Sequence, residues 1–386
     1  VKREPKSGRS SWALVAAGAG LIAATYGLVR LAYGLLLPDM QRELGFDAAA
    51  AGVVSAAGSV AYCASAVVAL LQAARRSRAL TAAAGATAAA GSAGIALSPD
   101  LPVLAASVVV ASMGAGLASP ALVEVLRRNI PRRSLDAAQA MVNAGTGPGL
   151  AAAGLLALAL LPDWRTAWTV AALMSAAGAV AVLILDRGAP GDDRPQAMPA
   201  ATWLRRHGLP LGAALLLGAG SAAVWVYGRT LLVDGGAGAV SVAAWVALGV
   251  GGSAAIVSAP RISALPVGAA WAATSGALAA ATVAVLALSG SATATLPAFA
   301  LFGWAYMAGS GVLIAWTSEI DERRAASGTA LLFIVLILGQ ALGAVACGAL
   351  IAAGGHPPAF LGAAVAAAVA ACAGIAPRRA GRRPLP

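Results

Sequence analysis

The chain has 386 residues, 60% of them hydrophobic and only 11% charged, with a mean hydropathy of +0.83. That balance excludes a soluble globular domain. The net charge of +11 is accounted for by basic loops facing an anionic leaflet, so no nucleic-acid partner is expected.

Twelve apolar stretches are each long enough to cross a ~30 Å hydrocarbon core at ~1.5 Å per residue. They run approximately over 12–37, 48–72, 79–97, 101–126, 136–160, 165–185, 208–232, 239–258, 267–289, 295–318, 326–352 and 357–376. The first is too long for a signal-peptide core and contains Arg30, which predicts an uncleaved first helix. Basic residues collect in alternate gaps. These hold Lys2, Arg3, Lys6 and Arg9, then Arg75, Arg76 and Arg78, then Arg127, Arg128, Arg132 and Arg133. Further along come Arg187, Arg194, Arg205 and Arg206, then Arg261, then Arg323 and Arg324, and last Arg378, Arg379, Arg382 and Arg383. Together they make up 22 of the 26 basic residues. Arg42 and Arg165 fall in the other loops, and Arg30 and Arg229 in spans. By the positive-inside rule this is an all-α, multi-pass protein of the cytoplasmic membrane with both termini cytoplasmic.

The longest gap, DRGAPGDDRPQAMPAATWLRRH at 186–207, is rich in Pro, Gly and charge and reads as a flexible cytoplasmic linker. It separates two six-helix bundles, 1–185 and 208–386, with the parallel topology of a two-fold repeat about the membrane normal. Gly145, Gly149 and Gly154 in span five and Gly339, Gly343 and Gly348 in span eleven share spacings of four and five. Each set follows an arginine pair, Arg132–Arg133 or Arg323–Arg324.

Four segments carry a resemblance to the major facilitator superfamily. TYGLVRLAYGLLLPDMQRELGFDAAAAG in span one resembles helix 1 and its outer loop in a bacterial YbfB/YjiJ-like branch. Trp164-Arg165 opens span six, as in many members. NAGTGPGLAAAG in span five resembles the Gly-Pro motif of exporters, and GQALGAVACGAL in span eleven has the small-residue pattern of the second half. The motif between helices 2 and 3 departs from the family: ALLQAARRSRAL has Ala73 in place of the usual Asp and Arg76 in place of Gly. The resemblance implies two pseudo-symmetric six-helix bundles around a central cavity lined by helices 1 and 7. It also implies that some relatives bind organic phosphates with one arginine from each of those helices.

An ionisable group inside a span is costly and marks a cavity or a partner. Tyr26, Arg30 and Tyr33 share one face of an α-helix, presenting a cation between two rings to an anionic or hydrogen-bonding solute. Trp225 and Arg229 follow Ser221 at intervals of four, and Asp234 is a nearby acid for Arg229. Pairing Tyr26-Gly27 with Tyr227-Gly228 brings Arg229 within two positions of the equivalent of Arg30. Asn143 and Gln340 are amides that need partners in lipid, whereas Trp304, Tyr306 and Trp316 read mainly as packing residues. Asp39, at the mouth of span one, is expected to be hydrated. Glu124 lies beside Arg127 and Arg128 as an ion-pair partner or proton carrier. By the resemblance, Glu319 and Glu322 face Arg127 and Arg128 across a cytoplasmic gate.

These features predict a secondary transporter, monomeric and embedded in the bilayer, that moves a small-molecule substrate by alternating access. Ion-coupled efflux of a metabolite or drug-like compound is expected, with uptake or exchange of an anionic carboxylate or phosphate through Arg30 as the alternative. An intramembrane enzyme would need residues not found here: there is no HExxH pair and no histidine inside a span. A non-transporting scaffold is the remaining class. Cys63, Cys347 and Cys372 all lie in spans, against a disulfide framework, and neither a metal nor a cofactor is expected.

Overall fold

The structure, a computed structural model, describes residues 7–188, 201–291 and 293–375. Among them every regular element is helical, and eleven helices are long and apolar enough to cross a membrane. One of these, Ala48–Ala96, has 49 residues and a non-helical break at Arg76 (φ −130°, ψ 26°). At ~1.5 Å per residue it is more than twice the length of one crossing, so it forms two, α2 (48–75) and α3 (77–96). The others are α1 (Ser11–Leu44), α4 (Leu101–Asn129), α5 (Arg132–Leu160), α6 (Trp164–Leu185) and α7 (Gly208–Asp234). They continue as α8 (Gly238–Ser263), α9 (Val267–Ala287), α10 (Thr295–Ile320), α11 (Glu322–Gly354) and α12 (His356–Ile375). With an even number of crossings, α1 begins and α12 ends on one face, here the termini face.

Short polar signals set the loops. Asp47, Asp100 and Asp163 accept hydrogen bonds from the backbone N–H groups of Ala50, Val103 and Thr166, capping α2, α4 and α6. Gly45, with φ of 69°, closes α1 in the left-handed conformation. Trp164-Arg165 ties three elements together on the opposite face. The Trp164 indole and the Arg165 guanidinium both donate to the Glu43 carboxylate at the end of α1. Arg165 also donates to the carbonyls of Ala96 and Ser98, at the end of α3.

In lipid, helices associate by close packing rather than by the hydrophobic effect. Large exposed side chains such as Val53, Leu173, Val250, Leu342 and Val365 are accordingly apolar and face outward. The repeat is visible in the glycine contacts. Gly145 and Gly149 of α5 lie against Ala19 and Ala23 of α1, and Gly154 against Val246 of α8. Gly339 and Gly343 of α11 lie against Leu215 and Ala219 of α7, and Gly348 against Ala48 of α2. In each triplet two glycines seat the first helix of their own half, and the third meets the second helix of the other half. A Cβ at any of the six would overlap its neighbour.

The segment at 186–207 is anchored where it is described. Asp186 is buried; its carboxylate accepts from Arg128 and Asn129 and pairs with Arg78, which also donates to the Asp186 backbone carbonyl. His207 is buried against Trp203 and Thr317, and residues Ala201–Arg206 form a short helix. Residues 189–200, the middle of the expected linker, lie outside the described residues.

Candidate functional site

The widest departure from regular helix falls on α1. Residues Ala23–Arg30 are π-helical, closed by a hydrogen bond from Leu31 N–H to the Tyr26 carbonyl at 2.9 Å. The wider turn re-aims the side chains that α-helical spacing would stack on one face, and such bulges recur at functional sites. Arg30 now points across to the second half, donating from Nη2 to Oε1 of Gln340 on α11 at 2.9 Å. Its guanidinium carbon also sits 4.8 Å from the ring centre of Tyr62 on α2. The hydroxyls of Tyr26 and Tyr62 share a 3.0 Å hydrogen bond. Tyr33 donates to the Ala51 carbonyl at 3.2 Å and lines the cavity beside Arg30.

Gln340 is the hub. Its Oε1 accepts from Arg30, and its Nε2 donates to the Tyr306 hydroxyl at 2.9 Å and to Ser221 Oγ at 3.2 Å. These bonds fix the amide orientation: only oxygen can face the guanidinium. Trp225 is buried in an aromatic group with Trp245, Phe302 and Tyr306. Its indole nitrogen has no acceptor, and neither has Arg30 Nε. No carboxylate pairs with Arg30 among the described residues, although Arg42, Arg78, Arg127, Arg128, Arg165 and Arg229 each have one. A cavity of about 40 Å³ adjoins the site, bounded by Arg30, Gln340, Trp225, Ser55, Ser59 and Ser112. At roughly 10–15 Å³ per probe-sized water, it has room for a few waters and not for an organic solute.

Between this site and the opposite face the two halves are sealed. Arg229 of α7 pairs with Asp39 of α1 and donates to the Leu35 carbonyl at 2.7 Å and to Ser241 Oγ at 3.1 Å. The Tyr227 hydroxyl lies 3.0 Å from the carbonyls of both Ala48 and Ala344. Arg229 is therefore buried by a counter-ion from the other half instead of snorkelling beside Asp234, which instead bonds His356 at 2.9 Å. Asp39, expected to be hydrated, is 5% exposed. The glycine contacts also correct the internal alignment. Ala19 and Leu215 are offset by the same number of positions as Ala23 and Ala219, and that offset pairs Arg229 with Tyr33, on the outer side of Arg30.

The remaining candidates lie away from this cluster. Asn143 is exposed on the termini-face half of α5, where its carbonyl accepts from Thr146. Glu124 pairs with Arg127 at 2.8 Å on the same helix, and Arg128 is committed to Asp186. Glu319 and Glu322 are exposed at the end of α10 and the start of α11. Sequence reasoning passed over Tyr62 and the three serines. Composition offered a signal for Tyr62. The chain has only five tyrosines: Tyr26, Tyr62 and Tyr306 surround Arg30, and Tyr33 and Tyr227 serve the seal.

Comparison with known proteins fits this architecture. The nucleoside transporter NupG matches with a TM-score of 0.73 at 15% identity, over 96% of this chain and 99% of that one. A POT family transporter solved with 5-aminolevulinic acid gives 0.73 at 14%, over 95% and 96%. A bacterial homologue of the human lysosomal transporter Spinster, inward-facing and unoccupied, gives 0.67 at 14%, over 96% and 95%. At these identities the likeness is one of fold. No curated protein matches the chain significantly. The family profile described as Major Facilitator Superfamily matches residues 19–319, and with twelve crossings in two repeated halves the chain belongs to that superfamily of membrane transporters.

Proposed function

We propose that the chain is a secondary transporter that carries a small organic solute across the cytoplasmic membrane by alternating access. One observation carries this: Arg30 of the first half hydrogen-bonds Gln340 of the second, inside the bundle, with no carboxylate beside it. A solute bound there touches both halves, so its binding energy can favour one arrangement of them over the other. The halves proposed are 1–185 and 208–386, joined by 186–207 and rocking about the site. The cavity of about 40 Å³ is far below the ~300–1,000 Å³ of pockets that hold drug-sized ligands, so the halves must part to load it. The 22 basic residues in alternate loops support a cytoplasmic termini face, and the monomer is the proposed unit.

The direction proposed is ion-coupled efflux of a metabolite or drug-like compound, supported by the likeness of the Gly145–Gly154 segment to exporters. In this structure those glycines seat α1 and α8, a packing role that serves either direction. A second reading, uptake or exchange of an anionic metabolite, is favoured by the unneutralised charge of Arg30. Assignment to the YbfB/YjiJ-like branch rests on residues 25–52. The test is flux into and out of proteoliposomes, with proton and sodium gradients imposed in each direction. A panel of labelled carboxylates, phosphates, sugars, amines and hydrophobic drugs serves as substrate. Gradient-driven movement of at least one solute, lost in Arg30→Ala, is expected. Movement that needs solute on both sides indicates exchange, and no gradient-dependent flux for any solute overturns the transporter.

A further inference from the structure

We propose that the solute is a monocarboxylate with an apolar body; this rests on the reading of the Arg30–Gln340 contact as the substrate site. The first argument is a count of charge. Gln340, Tyr26, Tyr62 and Tyr306 surround Arg30 and are neutral, and the nearest buried cation along the seal, Arg229, is already paired with Asp39. A monoanion at Arg30 leaves the site neutral. A dianion leaves a net negative charge in a low dielectric, where desolvation is heavily penalised, and an amine adds like charge to like.

The second argument is a surplus of donors. Arg30 Nε and the Trp225 indole N–H are buried without acceptors, and Ser59 and Ser112, both 7% exposed, place hydroxyls at the cavity wall. The guanidinium has only the Gln340 oxygen, on one of its edges. A carboxylate supplies two oxygens in the plane of the guanidinium fork and satisfies donors that a neutral acceptor would leave bare. Its remainder would lie against Leu31, Val108, Ala222 and Val226, the apolar part of the lining, with the Tyr33 hydroxyl beside them already donating to the Ala51 carbonyl.

The test uses purified full-length protein and four probes of one shape: cyclohexanecarboxylate, its primary amide, cyclohexylamine and cyclohexyl phosphate. Ligand binding to the folded protein raises Tm in a concentration-dependent way. Cyclohexanecarboxylate should raise Tm, and the amide should bind about 10- to 100-fold more weakly for want of a charged hydrogen bond. The amine should give no shift. Cyclohexyl phosphate should stabilise more at pH 5 than at pH 8, because its second ionisation lies near a pKa of about 6. Gln340→Glu, which keeps the side-chain size, gives Arg30 an internal anion. It should raise Tm without ligand and abolish the response to cyclohexanecarboxylate. An amide that binds as well as the acid, a phosphate that binds better as dianion, or a Gln340→Glu variant that responds like wild type overturns the proposal. So does the absence of any shift. In that last case flux of a neutral or cationic solute in proteoliposomes would leave the transporter reading standing.

Discussion

Asp39 of α1 and Arg229 of α7 form an ion pair across the two halves, with side-chain exposures of only 5% and 7%. Burying both charges costs several kcal/mol of hydration, which their attraction and the added hydrogen bonds to Leu35 and Ser241 must offset. The pair forms only when the opposite-face ends of α1 and α7 meet, and both charges regain water when that face opens. It therefore specifies the closed arrangement more than it stabilises the fold. Asp39→Asn leaves Arg229 buried without a counter-ion, at a cost of about 3–5 kcal/mol to the closed state. That is comparable to the few kcal/mol separating two functional conformations. Spin labels in the α1–α2 and α7–α8 loops should report longer distances in the variant, and an unchanged distribution would show that the pair does not hold the seal.

Gly34 tests the same seal by packing alone. It lies on α1 against the backbone of α7, where an added Cβ would overlap the carbonyl oxygen of Trp225. Gly34→Ala should cost about 1–3 kcal/mol by overpacking and open the same face. Gly20→Ala, on the same helix with nothing within 4 Å of its Cβ, should be neutral or slightly stabilising by helix propensity. Melting temperatures and the same spin-label distances compare the two, and equal effects would rule out the close approach as the cause.

The cluster at Asp186 predicts a pH dependence. Burial of the carboxyl opposes its ionisation, but hydrogen bonds from Arg128 and Asn129, with the charges of Arg128 and Arg78, outweigh it and hold it below the usual carboxylate range. A carboxyl with a depressed folded pKa stabilises fully above its unfolded value of about 3.9, and that contribution is lost as pH falls through the folded value. Asp186→Asn should therefore melt well below wild type at pH 7. The gap should begin to narrow only below about pH 4. A gap that narrows between pH 7 and pH 5 would point to another group.

The helix count, the repeat and the placement of Arg30 inside a span were legible because hydropathy and the position of a charged residue depend on local sequence. The triplets at Gly145 and Gly339 were legible for the same reason, since their spacing repeats. Partners were not. Arg30 and Gln340 are 310 positions apart, and a π-helical turn that no periodicity signals decides which way Arg30 points. Asp39 looked like a mouth residue because burial of its carboxylate depends on Arg229, 190 positions away. The family's missing acid at position 73 has a spatial counterpart: Asp186 at the end of α6 engages Arg78 and Arg128 near the same turn.

Alternating access, as proposed, requires the termini face to close when the opposite face opens, and the charges there offer the means. The turn from α10 to α11 carries Glu319, Asp321 and Glu322, and the end of α4 with the start of α5 carries Arg127, Arg128, Arg132 and Arg133. Each exposed pair contributes only ~0–1 kcal/mol, yet several together can move a balance of a few kcal/mol. Reversing Glu319 and Glu322 should thus disfavour closure of this face. The two arginines at the end of α4 should then behave differently as compensating sites. Arg127 pairs with Glu124 at an exposed position, so reversing it as well should restore part of the closure. Arg128 is the partner of the buried Asp186, so reversing it should lower the melting temperature sharply instead. Spin-label distances across the termini face, read beside melting curves, separate the two effects. Identical behaviour of the Arg127 and Arg128 reversals would mean that this face is not closed by charge.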